Sequence, residues 1–336
     1  MSAPKQKRRK PTGSAADINI LWPGEILTAP QGKVLKEKFE LNQLNLTLAL
    51  QLLGFYCKSP ESKRYLHERF ALALWFIDNR PADYITGHIR YFTGARFWSH
   101  SMEREAQTCW RKQIKKYPTD ARVLFNAAMQ PDFRQPDTTA LLKRSKQADA
   151  TYGPPFLHLA QGYRYKALQG VDKHRKRFAK LALDEIDGAL VRKNALGERL
   201  GMLIAFTPLA IKFGYYIRAR KYANRLRRYK EEALWQQYAE TYLLRLDVIE
   251  AKYKSAEKRI ARLRQLYSEH PSHVASNTQA LLTLADLCQH DQCNLAQLLL
   301  DAIKRGTGDK AQLKMLKRWS TEIARKRIPN FQLDHN

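Results

Sequence analysis

From Val34 onward, apolar residues return every three or four positions, the period of a helix that buries one face. Leu41, Leu44, Leu46, Leu48 and Leu50 crowd one broad face around Asn42, Asn45 and Thr47, and Gly54 and Pro60 punctuate it. Residues 61–80 carry Leu66, Phe70, Leu74 and Ile77 at helical spacing, then meet Pro81, whose ring cannot continue a helix. The stretch from Gly94 to Pro118 is the most specific. Gly94 and Phe97 stand three apart, followed by Ala106, Trp110 and a terminating Pro118. Two antiparallel helices approach closely only where one offers Gly or Ala to the bulk of the other, so this spacing predicts a helical hairpin. Residues 18–32, with Pro23, Gly24 and Pro30, predict an irregular lead-in.

Related pairings of small and large residues follow. Ala121, Leu124, Ala127 and Ala128 mark a first helix, and Ala140 a second, in which Arg144 takes the place of an aromatic. Phe156, Leu159, Ala160 and Tyr163 open the next copy. Its second helix, with Ala182, Ile186 and Ala189, comes late, which predicts a lengthened helix or loop around Lys173–Lys180. Gly214, Tyr216, Ala219 and Ala223 mark another copy. Leu243, Leu244, Tyr253, Ala256, Ile260 and Pro271 mark the one after it, and Leu281, Leu284, Ala296, Leu300 and Ile303 the last. A basic helix from Lys310 to Arg327, with Leu313, Leu316, Trp319 and Ile323, is suited to closing the open end.

Over residues 60–305 this pattern resembles the tetratricopeptide-repeat superfamily, most specifically at Gly94–Pro118. The chain departs from that family in two ways: no copy has Trp at the first signature position, and Gln113 stands where a small residue is usual. The resemblance implies an all-α, right-handed α-solenoid of stacked antiparallel helix hairpins with helical caps at both ends. Its first helices would line a concave groove that holds peptides or partner proteins, and the family brings no catalytic residues. The organisation expected is a disordered basic arm over 1–17, a lead-in with capping helices over 18–81, repeats over 82–305, and a capping helix with tail over 306–336.

Charge adds an expectation about partners. Hydrophobic residues make up 44% of the 336, ordinary for a folded chain, yet 59 Lys and Arg face 32 Asp and Glu, a formal charge of +27. Such an excess draws polyanions: nucleic acid, anionic lipid or an acidic protein face. Five of the first ten residues are Lys or Arg, and this arm reads equally as a nuclear-localisation-like cluster, a nucleic-acid arm, a polybasic membrane tether or a solubilising tail. It lacks the apolar stretch of a secretory signal. The most apolar run, Leu200–Ile217, is broken by Pro208 and Lys212 and predicts a buried helix, so no integral membrane segment is expected. Cys57, Cys109, Cys288 and Cys293 form no dense framework, which suits reduced thiols and a cytoplasmic location.

Motifs for catalysis are missing from the sequence: there is no GxGxxG, P-loop, HExxH or GxSxG, and no cofactor is expected. Cys288, His290 and Cys293 lie close together but lack the further ligands of structural zinc, and an inter-helix turn explains them. Asp184 and Glu185 sit among Lys and Arg, where pairing at i,i+4 accounts for them. Two binding surfaces are predicted. Outward positions of the first helices give a groove of Tyr91, Trp98, Arg122 and Gln161, continued by Arg164, Tyr165, Lys212 and Arg245; aromatic and cationic, it suits an acidic protein or peptide partner within a hetero-complex. The alternative is an RNA- or DNA-binding surface on the second helices. It begins with Lys173, Arg175, Lys176 and Arg177. It continues through Arg218, Arg220, Lys221, Arg225, Arg227, Arg228 and Lys230, and extends into Lys252–Arg264. Tyr222 and Tyr229 on that surface could stack on bases, or the whole could be a solvated convex face.

Overall fold

A computed structural model of the chain describes residues 24–58, 64–89, 95–130, 137–170, 172–192, 196–229, 232–270, 278–306 and 310–324. The basic arm over 1–17 and the tail past 324 lie outside the described residues. Among those described, regular structure is helical and no strand occurs, as the periodicity predicts. The chain divides into two compact units, residues 1–159 and 160–336, and the division falls inside the helix Pro154–Gln169.

The first unit contains α1 (Ala29–Leu41), α2 (Leu46–Cys57), α3 (Leu66–Asn79), the short α4 (Tyr84–Gly87), α5 (His100–Lys116), α6 (Ala121–Ala128) and α7 (Asp137–Ala148). Side-chain oxygens start several of these helices by accepting otherwise unpaired first-turn amides. Asn45 accepts from Leu48 N, Ser99 from Met102 N, and Asp120 from both Arg122 N and Val123 N. Ala106 and Trp110 are buried on α5, as their spacing predicts. Their partner is not the one expected. Gly94 lies outside the described residues, and Phe97 belongs to a single 3-10 turn, Ala95–Phe97, rather than to a first helix. Helix α5 packs on α3 instead, where Gln113 Nε2 donates to Asp78 Oδ1 at 3.1 Å, and Trp98 meets Phe70 edge-on. Helix α5 itself starts at His100 under the Ser99 cap, with the 3-10 turn before it.

The second unit continues from α8 (Pro154–Gln169) through α9 (Asp172–Leu190), α10 (Leu196–Lys212), α11 (Tyr216–Leu226), α12 (Ala233–Ile249), α13 (Tyr253–Glu269), α14 (Thr278–Gln289), α15 (Cys293–Gly306) and α16 (Lys310–Ala324). The extra length expected near Lys173–Lys180 is helix: it forms the first turns of α9. Three successive helix pairs, α10/α11, α12/α13 and α14/α15, are joined by the same turn. The residue after the helix cap adopts positive φ (Gly214 at 80°, Ala251 at 55°, Asp291 at 55°). The next amide bonds back five residues, as Tyr215 N does to Ala210 O (2.8 Å), Lys252 N to Asp247 O (2.7 Å) and Gln292 N to Leu287 O (2.9 Å). These bonds satisfy carbonyls that a helix end otherwise leaves open. Gly214 therefore sits in a cap turn and not on a first helix, because its left-handed φ is what the turn requires.

Counting from these turns gives one register for the second helices. Ala182, Ala219 and Ala256 stand 37 residues apart, Ala296 follows 40 later, and all four are fully buried. Ile186, Ala223, Ile260 and Leu300 lie one helical turn on, then Ala189, Leu226, Leu263 and Ile303, all of them buried as well. First helices also touch one another: α10 packs on α12 and α12 on α14, while α13 packs on α15. Pro208 lies inside α10 and has no amide to offer Ile204 O. The Tyr242 hydroxyl of α12 donates to that carbonyl at 3.0 Å, so a helix defect in one pair is filled by a side chain of the next.

Between α11 and α13 the link is a buried carboxylate. Asp247 of α12, 1% exposed, accepts from Arg220 of α11 at 2.9 Å, from Arg259 of α13 at 2.5 Å and from the Ser255 hydroxyl at 2.7 Å. Arg259 also reaches Glu240, and Arg220 reaches Glu250. Burial alone would raise the Asp247 carboxyl, but the Ser255 and Arg259 hydrogen bonds, with Arg220 behind them, hold it below the usual carboxylate range.

Candidate polyanion-binding site

Several residues of the predicted groove are committed to other contacts. Tyr91 lies outside the described residues. Trp98 is 8% exposed, because its ring is committed to Phe70. Arg122 lies over the Tyr152 ring in the first unit. In the second unit Arg164 lies over Phe206, and Arg245 is bound to Asp286 at 2.9 Å, a bond between neighbouring first helices. Gln161, Tyr165 and Lys212 are exposed.

The predicted polyanion set is sorted by its partners. Arg218 and Arg220 are structural: Arg218 bonds Asp184 at 2.6 Å and approaches Asp187, and Arg220 belongs to the Asp247 cluster. Asp184 also takes Lys180 at 2.9 Å, the i,i+4 pairing the sequence predicts. Arg175 Nε donates to Ala167 O. Tyr222 is fully buried, its hydroxyl donating to Asp187, so it cannot stack on a base; a large ring at that position fills the space between helices. Lys230 lies outside the described residues. Lys173, Lys176 and Arg177 are exposed at the start of α9.

Two basic areas result where one was expected. Tyr215 OH meets Lys176 O and Arg225 meets Leu190 O, so α11 runs alongside α9 in the same direction. Lys176 and Leu190 are separated by about 21 Å at 1.5 Å per residue, with the carboxylates of Asp184 and Asp187 between them. The area at the far end has a defined shape. Lys221, Asn224, Arg225 and Arg228 line a surface pocket of about 340 Å3. Arg225 is fixed by its 3.0 Å bond to Leu190 O, the C-terminal carbonyl of α9. The turn that carries Arg228 is held by Gln236, whose Nε2 donates to Arg227 O at 2.9 Å and to Tyr229 O at 2.8 Å. Lys221 Nζ lies 3.5 Å from Asp187.

The register extends this area to α13. Lys258, Arg262 and Arg264 occupy on α13 the positions that Lys221, Arg225 and Arg227 occupy on α11, and all three are exposed. Arg220 of α11 and Arg259 of α13 hold the same carboxylate, that of Asp247 on α12. Sequence reading counted these cations as one run along the chain; Asn224 and the matching of positions between helices were missed. The 37-residue spacing of Ala182, Ala219 and Ala256 is the signal that would have revealed them.

Elsewhere the chemistry is quiet. Burial pushes the Cys57 thiol up to about 12 and the Cys288 thiol up to about 11, which disfavours the reactive thiolate at neutral pH. Cys288 and Cys293 flank the turn at Asp291 and are not bonded to each other. Among the described residues no group of three or more His, Cys, Asp or Glu is placed to hold a metal ion, and no helix is long and apolar enough to cross a membrane. No family model, curated protein or solved structure matches the chain.

Proposed function

We propose that the second unit is a right-handed α-solenoid of stacked helix hairpins and that its second-helix face binds a single-stranded nucleic acid through the phosphates. The observation that carries this reading is the matching of cations in register on successive second helices, Lys221 with Lys258 and Arg225 with Arg262 on one side of the helix, and Arg227 with Arg264 on its flank. A polymer whose charge repeats along its length matches such a ladder, and guanidinium groups suit phosphate oxygens. With Tyr222 buried, affinity comes from charge, so binding is tolerant of sequence and strongly salt-dependent. The ladder spans two helices, which sets a short footprint.

Anisotropy of a labelled random-sequence single strand, titrated over a salt series, tests this. Neutralising about five phosphates gives a slope of log K against log salt of about −3 to −4. Reversing the charge of Lys258, Arg262 and Arg264 together removes most of the binding. Failure to bind at low salt, or an unchanged affinity in that triple variant, overturns the reading.

A further inference from the structure

We infer that the pocket of Lys221, Asn224, Arg225 and Arg228 receives a terminal phosphate monoester, the end of the strand that the cation ladder holds. This rests on the nucleic-acid reading above and adds to it a preference for one kind of end.

The register supplies the argument. The four pocket positions on α11 correspond on α13 to Lys258, Ala261, Arg262 and Gln265. Helix α13 thus keeps two of the cations and lacks both the amide and the third cation. In the α9 register the same positions hold Asp184, Asp187, Gly188 and Val191, none of them a cation, so the ladder has no rung beyond α11. A strand lying along α13 and α11 therefore ends in the pocket. The chemistry there exceeds what an internal phosphate offers. A diester carries one negative charge, whereas a monoester carries about −1.5 to −2 and three acceptor oxygens. Three cations and an amide line one half-open concavity; Lys221 is shared with Asp187 and Arg225 with Leu190 O, so Asn224 and Arg228 are what set it apart from the matching positions on α13. The Arg225 guanidinium is already held by Leu190 O, and the turn that carries Arg228 is held by Gln236.

The test compares one single-stranded oligonucleotide with a 5′-phosphate, with a 3′-phosphate, or with hydroxyls at both ends, bound to the full chain. One phosphorylated form should bind about tenfold more tightly than the hydroxyl form, the scale of charge-assisted hydrogen bonds gained at one group. The double variant Asn224→Ala, Arg228→Gln gives α11 the residues that α13 has in register. It should erase that preference, with the phosphorylated strand losing more affinity than the hydroxyl-ended strand, which keeps the contacts of Lys221, Arg225 and α13. Equal affinity for the three strands, with binding retained, overturns the pocket assignment and leaves the nucleic-acid reading standing. Absence of binding to any strand overturns both. Binding of a phosphoserine peptide when no strand binds would move the pocket to a protein ligand and overturn the inference as stated.

Discussion

The two units are built from the same kind of element and are held together by different means. In residues 24–159 each junction has its own solution, most often a buried side-chain donor to a backbone carbonyl. Asn126 Nδ2 donates to Pro81 O and Asp83 O at 2.8 Å each, Thr86 Oγ1 to Arg80 O, Gln130 to Gly87 O, and Ser145 Oγ to Ala121 O. In residues 160–324 such donors occur too, as Tyr242 to Ile204 O and Gln237 to Leu266 O, but there a pattern also recurs: the same cap turn, the same buried positions on the second helices, and ion pairs from helix to helix at Asp184, Asp247 and Asp286. A recurring contact leaves a period in the sequence. A contact made once leaves only a residue type, and an amide that closes an irregular turn looks like any other amide.

The comparison is tested most severely at Asp247. Asp247→Ala strips a buried carboxylate from two guanidinium groups, and removing one partner of a buried ion pair costs about 3–5 kcal/mol. Hydrogen exchange should show the loss at α11, α12 and α13, with residues 121–130 unaffected; loosening there would mean that the units do not differ as described. The pH dependence has a definite sign. The folded carboxyl is depressed relative to its unfolded value, near 3.9, so its stabilisation is complete above that value and is lost as pH falls through the folded value. The melting difference between the unaltered chain and Asp247→Ala should therefore be constant from pH 7 to about 5 and shrink below about 4. A difference that persists undiminished at low pH would show that the carboxylate's charge is not what the site uses.

What was legible follows the same division. The helices at 66–79 and 100–116, and the buried Ala182, Ala219, Ala256 and Ala296, follow from helical spacing alone. The partner of α5 was misread because Gly94 and Phe97 fit a hairpin spacing by residue type, while Phe97 lies in a short 3-10 turn and α5 packs on α3. Basic residues were legible as a charge but not as a site. Arg218 and Arg220 lie in the same run as Arg225 and Arg228, and only the helices opposite, with Asp184, Asp187 and Asp247, decide which of them are spent.

A middle-sized effect checks whether neighbouring pairs in the second unit really compensate for one another. Tyr242→Phe leaves the half-buried Ile204 O beside a proline that cannot donate, a loss of about 1 kcal/mol. In a Pro208→Ala background the restored amide of residue 208 can bond Ile204 O, so the same Tyr242→Phe substitution should cost less. The double-mutant cycle should therefore show coupling of about 1 kcal/mol. Additive effects would mean that the hydroxyl and the proline are independent, and that the contact is incidental to the packing of α10 on α12.

The smallest effect sharpens the register itself. Gly214, Ala251 and Asp291 occupy one position in three turns, at the same left-handed φ, but only Gly214 has the residue that the conformation favours. Ala251 therefore carries a steric cost that its turn repays with the bonds from Ala251 N to Val248 O and from Lys252 N to Asp247 O. Ala251→Gly should stabilise by about 1 kcal/mol, and Gly214→Ala should destabilise by about as much. A Cβ built on Gly214 meets nothing within 4 Å, so the second substitution tests φ alone. For a unit of this size each change corresponds to about 2–4 °C in melting temperature, in opposite directions. Shifts of the same sign, or a drop on Ala251→Gly, would show that the turns are not equivalent, and the matched positions on α11 and α13 would lose their common origin.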